Sequence, residues 1–171
     1  LDGIITNETF EDYFEIVINR DNCQLLEVNS SFFVATQYAG GYFQVYKNDN
    51  KSFPLIGELT NIETDGCSSN GLGKINDNIV CSGGENNVSI ISIEPLQEIQ
   101  KIKINQAILC INVNRVNGSN YLYMKGYNCI IQYKIINVEN NNSVELIKLF
   151  NTSDKYNAIH KAILAFEDGR I

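Results

Sequence analysis

The sequence predicts an all-β protein assembled from four-stranded antiparallel units, and three observations predict it. The apolar segments are short and rich in Ile, Val, Tyr and Phe. They are bounded by Asn, Asp, Gly and Ser, which is the punctuation of strands and turns. A glycine-bearing turn followed by an alternating strand then recurs at a nearly fixed spacing, the mark of a repeat architecture. No segment sustains a 3.6-residue apolar stripe over three turns. Leu96-Gln-Glu-Ile-Gln-Lys-Ile102 comes nearest, but Lys101-Ile-Lys-Ile104 alternates and makes this stretch a strand.

The strands fall in order. Asp12-Tyr-Phe-Glu-Ile-Val-Ile18 reads as the outer strand of an earlier unit. Gln24-Leu-Leu-Glu-Val28, Phe32-Phe-Val-Ala35, Phe43-Gln-Val-Tyr-Lys47 and Phe53-Pro-Leu-Ile-Gly-Glu-Leu59 form the first complete one. A weak strand near Cys67–Leu72, then Ile79-Val-Cys81, Val88-Ser-Ile-Ile-Ser92 and Leu96 to Ile104, form the second. Ala107–Val113, Tyr121-Leu-Tyr-Met124, Ile130-Ile-Gln-Tyr-Lys134 and Val144-Glu-Leu-Ile-Lys-Leu-Phe150 form the third. A further unit begins at Tyr156, where a strand runs into the Asp168-Gly169 turn. Pro54 and Pro95 each stand at the start of a run, where a missing N–H is tolerated.

The repeat positions are Gly41 and Tyr46, Gly84 and Ile91, and Gly126 and Tyr133. From Tyr46 to Ile91 is 45 residues and from Ile91 to Tyr133 is 42, close to the about 40–45 residues of a four-stranded propeller blade. The blades run over roughly 20–60, 61–105 and 106–151, with the end of a preceding blade at 1–19 and the start of another at 156–171. Ser82-Gly-Gly-Glu-Asn-Asn87 is then a hairpin turn, with Gly83, Gly84 and Asn86 or Asn87 supplying positive φ. A phosphate cradle would need a helix after it, and an alternating strand follows instead.

The pattern resembles the WD-repeat β-propeller family from about residue 20 to the end. Ser82-Gly-Gly before the Val88 strand carries the resemblance, as does His160-x-x-Ile-Leu-x-Phe-x-Asp-Gly169, which is similar to the family's histidine, inner strand and turn at a blade entrance. The Trp-Asp pair is absent and the chain has no Trp; Tyr46-Lys47, Ile91-Ser92 and Tyr133-Lys134 stand in its place. The resemblance therefore implies degenerate repeats, with the family's buried hydrogen-bond network incomplete. A propeller closes with about 4–8 blades. Three and a half leave open strand edges, so the chain is expected to be part of a larger propeller.

Composition narrows the function classes. The 44 % hydrophobic content of 171 residues is enough for a packed domain, and no run approaches the roughly 18 apolar residues of a membrane span. The start at Leu1-Asp-Gly-Ile lacks a basic n-region and an apolar core, so it is not read as a signal peptide but as the interior of a longer chain. The net charge of −7 argues against a nucleic-acid binder. That charge is uneven: residues 1–99 carry 15 acidic and 4 basic side chains, residues 100–171 carry 5 and 9. The abundant Asn fits the coding bias of an A+T-rich genome. Cys23, Cys67, Cys81, Cys110 and Cys129 are odd in number with no C-x-x-C pair, and read as buried thiols in a reducing compartment.

Candidate chemistry is thin. Gly66-Cys-Ser-Ser-Asn-Gly-Leu-Gly-Lys74 fails the P-loop pattern at two positions. His160, the single histidine, has no nucleophile elbow to serve and no zinc-ligand spacing around it. Glu11, Asp12, Glu15, Glu167 and Asp168 read as solvated acids. No cofactor, metal or small-molecule site is expected. The reading is a protein-interaction scaffold in a multi-subunit assembly, with the aromatic turn residues Tyr38, Tyr42, Tyr127 and Tyr156 as partner contacts. The alternative is a propeller hydrolase or lyase with its site in the central channel, where Asn112, Asn114 and His160 are the inner-strand polar residues in view. The third possibility is a propeller appended to a separate catalytic domain, still acting by binding. The cytosol is the expected compartment, with a cytoskeletal or ciliary assembly as the setting.

Overall fold

The computed structural model describes residues 23–37, 41–49, 52–60, Ile62, 71–84, 86–104, 108–126, 129–137 and 145–153. The strand at Asp12–Ile18 and the hairpin from Tyr156 lie outside these residues. Twelve strands are described, in three sheets of four. The first sheet is β1 (Cys23–Asn29), β2 (Phe32–Gln37), β3 (Phe43–Lys47) and β4 (Leu55–Leu59). The second is β5 (Leu72–Lys74), β6 (Ile79–Gly83), β7 (Asn87–Ser92) and β8 (Gln97–Lys103). The third is β9 (Ile108–Val116), β10 (Ser119–Gly126), β11 (Cys129–Asn137) and β12 (Glu145–Ser153).

Each sheet is an antiparallel meander whose spatial order follows the chain. The first strands of successive sheets lie side by side, β1 against β5 and β5 against β9. Four-stranded meanders that meet along their first strands and stack face to face are propeller blades. The fold is therefore all-β and built of propeller blades.

The apolar runs are continuous because the second sheet is buried on both faces. Val80, Ile91 and Ile93 pack toward the first sheet with Val28, Val34, Phe43 and Val45. Ile79, Cys81, Val88 and Ile90 pack toward the third with Ile108, Ile111, Leu122, Met124 and Ile131. Successive side chains of β6 and β7 thus serve different cores, as the two-residue strand period requires. Glycines set the closeness of this stacking. A Cβ on Gly83 would stand 2.9 Å from Ile108 Cγ2, and one on Gly73 would stand 2.7 Å from Ile111 Cγ2.

Two local devices recur between blades. The pairing of third and fourth strands shifts register at Val45/Tyr46, Ile90/Ile91 and Gln132/Tyr133. Such bulges add local twist to an outer strand. The turn between first and second strands is an Asx turn in two sheets: Asn29 Oδ1 accepts from Ser31 N and Phe32 N, and Asn76 Oδ1 accepts from Asn78 N and Ile79 N. In the third sheet Asn117 and Gly118, at φ 49° and 79°, make the corresponding turn.

Candidate functional site

The predicted repeat residues sit as follows. Tyr46, Ile91 and Tyr133 each stand at the register shift of a third strand; Tyr46 and Ile91 are buried, and Tyr133 is half-buried with its phenol pushed up by desolvation. Gly41, at φ 62°, accepts a hydrogen bond from Ile62 N through its carbonyl. Gly84 does the equivalent for Ile108 N, tying the second sheet to the start of the third. Gly126 is buried at the end of β10.

The expectation of positive φ at Gly83, Gly84 and Asn86 or Asn87 is not met: among the described residues positive φ occurs at Gly41, Asn117 and Gly118. Gly83 is required by the approach of β9, and Gly84 N donates to Asn87 O within the turn. Gly73 and Lys74 lie in strand β5, with the side of Gly73 filled by Ile111 and Cys81, which leaves no cradle there.

Among the predicted contact residues, Tyr42 is half-buried immediately before β3 and already takes part in side-chain or backbone interactions. Tyr38, Tyr127, Tyr156 and His160 lie outside the described residues, as do the candidate acids Glu11, Asp12, Glu15, Glu167 and Asp168. Cys81 and Cys110 are buried thiols. Cys81 Sγ donates to Gly73 O at 3.3 Å, and burial pushes its pKa up to about 12, so it is not a nucleophile at neutral pH.

The face of the third sheet turned away from the second carries Tyr121, the buried Tyr123 and Gln132, whose Nε2 donates to Tyr123 Oη at 2.9 Å. Desolvation, and secondarily Tyr121, raises the Tyr123 pKa, while the Gln132 bond opposes the rise. Lys125 on the same face is buried and engaged. Asn112 and Asn114 of β9 flank Tyr123 and Tyr121 there.

At one end of the second sheet, Asn76, Asp77, Asn78 and Glu94 line an open polar cleft. Asn78 clamps the turn that follows β7: its Nδ2 donates to Glu94 O and Ser92 Oγ, and its Oδ1 accepts from Glu94 N. Asn29 Nδ2 reaches across from the first sheet to Asp77 O at 2.7 Å. This network fixes the blade ends relative to one another.

The first sheet presents the most distinctive surface. On the face away from the second sheet, register aligns two rows. One is Glu27, Phe33, Tyr46 and Leu55; the other is Leu25, Ala35, Gln44 and Glu58. Phe33 and Tyr46 stack at 5.1 Å, and Phe53 meets Phe33 edge-on at 5.2 Å. Tyr46 Oη donates to Gln44 Oε1 at 3.0 Å, and Gln44 Nε2 donates to Glu58 Oε2 at 2.7 Å. The chain of bonds ends on β4, the outer strand. Leu55 and Ile56 of β4 are each 50 % exposed, and Leu25 is exposed on β1. Sequence reasoning missed this surface because it looked for aromatic residues in turns. The signal was the run Leu55-Ile56 in an outer strand with one charged residue.

Among the described residues no helix is long and apolar enough to cross a membrane, and no cluster of metal-ligating side chains occurs. No family model and no curated protein matches the chain. Among solved structures it is similar to Hsv2 of Kluyveromyces lactis, at 13 % identity over 73 % of this chain and 36 % of that one, with a TM-score of 0.41. It is similar also to the form of that protein with a complete loop 6CD, at 14 % identity over 73 % and 35 %, with a TM-score of 0.41. The chain thus spans little more than a third of the length of the Hsv2 chains.

Proposed function

We propose that this chain is a non-catalytic protein-interaction scaffold, a WD-repeat-like segment of a propeller that works within a larger protein or complex. One observation carries the reading. A frame of three stacked blades displays Leu55 and Ile56 to solvent on the outer strand of the first sheet, next to an ordered Tyr46–Gln44–Glu58 chain. Exposed apolar side chains grouped at a polar rim are the usual composition of a protein-binding surface. Blade edges and faces are backed by packed sheets, so a partner would meet a preorganised surface at little conformational cost.

The test is purification of the native protein under cross-linking conditions, with the composition of the complex determined by mass spectrometry. The scaffold reading expects one or more proteins at fixed stoichiometry. Recovery of the protein free of any stoichiometric partner contradicts it.

A further inference from the structure

We propose that Asn117, at the tip of the β9–β10 hairpin, is a site of spontaneous covalent modification. Its side chain closes on Gly118 and converts to aspartate and isoaspartate while the protein is folded. The inference goes beyond the scaffold reading and does not depend on it.

Asparagine is a thermolabile residue because the backbone nitrogen of the next residue attacks its amide carbon. Here Gly118 N bonds to Asn117 Cγ, and the Cγ–Nδ2 bond breaks. Nδ2 leaves as ammonia, taking the Gly118 amide proton with it. Water then opens the cyclic imide. Addition at Cγ leaves aspartate in a normal chain. Addition at the main-chain carbonyl carbon routes the backbone through Cβ and Cγ, which is isoaspartate. A side chain on the following residue hinders the attack, so glycine is the most permissive neighbour. The chain has two Asn-Gly pairs, at Asn70 and Asn117. Asn70 lies outside the described residues.

Asparagine is abundant in this chain, and the fold treats its members differently. The carboxamides of Asn29, Asn76 and Asn78 are each fixed by hydrogen bonds to the backbone. Asn117 has no such anchor. Among the described residues no hydrogen bond engages its side chain, and both it and Gly118 are exposed. Nothing stands within 4 Å of a Cβ built on Gly118, so no neighbour blocks the approach to its nitrogen. The pair forms the whole loop between Val116 and its strand partner Ser119. Ring closure needs rotation about the Asn117 Cα–C bond, which at a hairpin end disturbs only the last pair. Loop tips are where a fold opens at the lowest cost. The isoaspartate product lengthens the main chain of this loop by one methylene. The Val116–Ser119 register then no longer fits the turn, and the third sheet loosens at this end.

The experiment incubates the intact protein at mildly alkaline pH and physiological temperature and samples it over weeks. Peptide mapping by mass spectrometry reads the gain of about 1 Da at each asparagine, with Asn70 and Asn117 on separate peptides. Electron-transfer fragmentation separates isoaspartate from aspartate. A parallel sample in urea gives each residue its unfolded rate. The expected result is that folding slows Asn117 by less than about tenfold and slows Asn29, Asn76 and Asn78 by more. Isoaspartate should be among the products at Asn117. Gly118→Ala should slow Asn117 at least about tenfold in urea, where loss of the turn plays no part. The proposal is overturned if folding slows Asn117 by more than about tenfold, or as strongly as it slows Asn29, Asn76 and Asn78. An unchanged rate in Gly118→Ala overturns the route through the Gly118 nitrogen, and the proposal with it.

Discussion

Cys81 has 0 % exposure, between the second and third sheets, and its thiol pKa is raised to about 12 from 9.0 by desolvation. A raised pKa means that the folded state holds its proton where the unfolded state releases it. Folding stability from this group is therefore complete below about pH 9 and is lost as pH rises from about 9 toward 12. Tyr123 and Tyr133, both raised by desolvation, push in the same direction at alkaline pH. The expected outcome is a melting temperature that falls progressively above pH 9, with Cys81 unreactive toward a thiol reagent at pH 8 until the protein is unfolded. Rapid labelling of native Cys81 at pH 8 would contradict its place in the core.

Burial of this thiol was legible from the apolar run around it. The roles of Asn29, Asn76 and Asn78 were not, because Asn is so frequent here that position alone carries little signal. What distinguishes these three is the hairpin end each occupies, where the side-chain oxygen takes backbone N–H groups that no strand partner reaches.

Among the elements, the third strands were the most legible. Phe43–Lys47 is bounded as its alternation predicts, because both of its edges are paired and Phe43 and Val45 are committed to the core. The first strand of the second sheet was the least legible. Leu72–Lys74 is three residues long with a glycine at its centre, and that glycine is there for the side chain of Ile111. No local pattern reports a neighbour in another sheet. The Asn117-Gly118 hairpin, by contrast, was written in the sequence and passed over.

Two glycines separate these kinds of constraint. Gly118 has φ 79° with nothing within 4 Å, so Gly118→Ala costs only the left-handed backbone, about 1–2 kcal/mol. Gly83 is blocked by Ile108 and Ile111, so Gly83→Ala overpacks the contact between sheets, at about 1–3 kcal/mol. Denaturant titration of the double variants distinguishes them. Ile108→Ala should partly relieve Gly83→Ala and should be additive with Gly118→Ala. Additivity in both pairs would mean that β6 and β9 do not meet as described.

For the whole molecule, the period of 45 and 42 residues between third strands carried the architecture, and the four-stranded meanders follow it. Glu27 and Glu58 share one face of the first sheet, and Lys125 and Lys134 share one face of the third, where Lys125 is buried. The open edge was not legible, because exposure of Leu55 and Ile56 depends on which side of the sheet remains unpaired, a property of strand order rather than of composition.

Amide hydrogen exchange of the free protein, read residue by residue, tests this arrangement most directly. Strand β7, paired with β6 on one side and β8 on the other, should be slow at every position. Strand β4, paired with β3 alone among the described strands, should alternate between slow and fast amides. Uniform protection along β4 would mean that its outer edge is already occupied, and alternation along β7 would mean that the strand order itself is different.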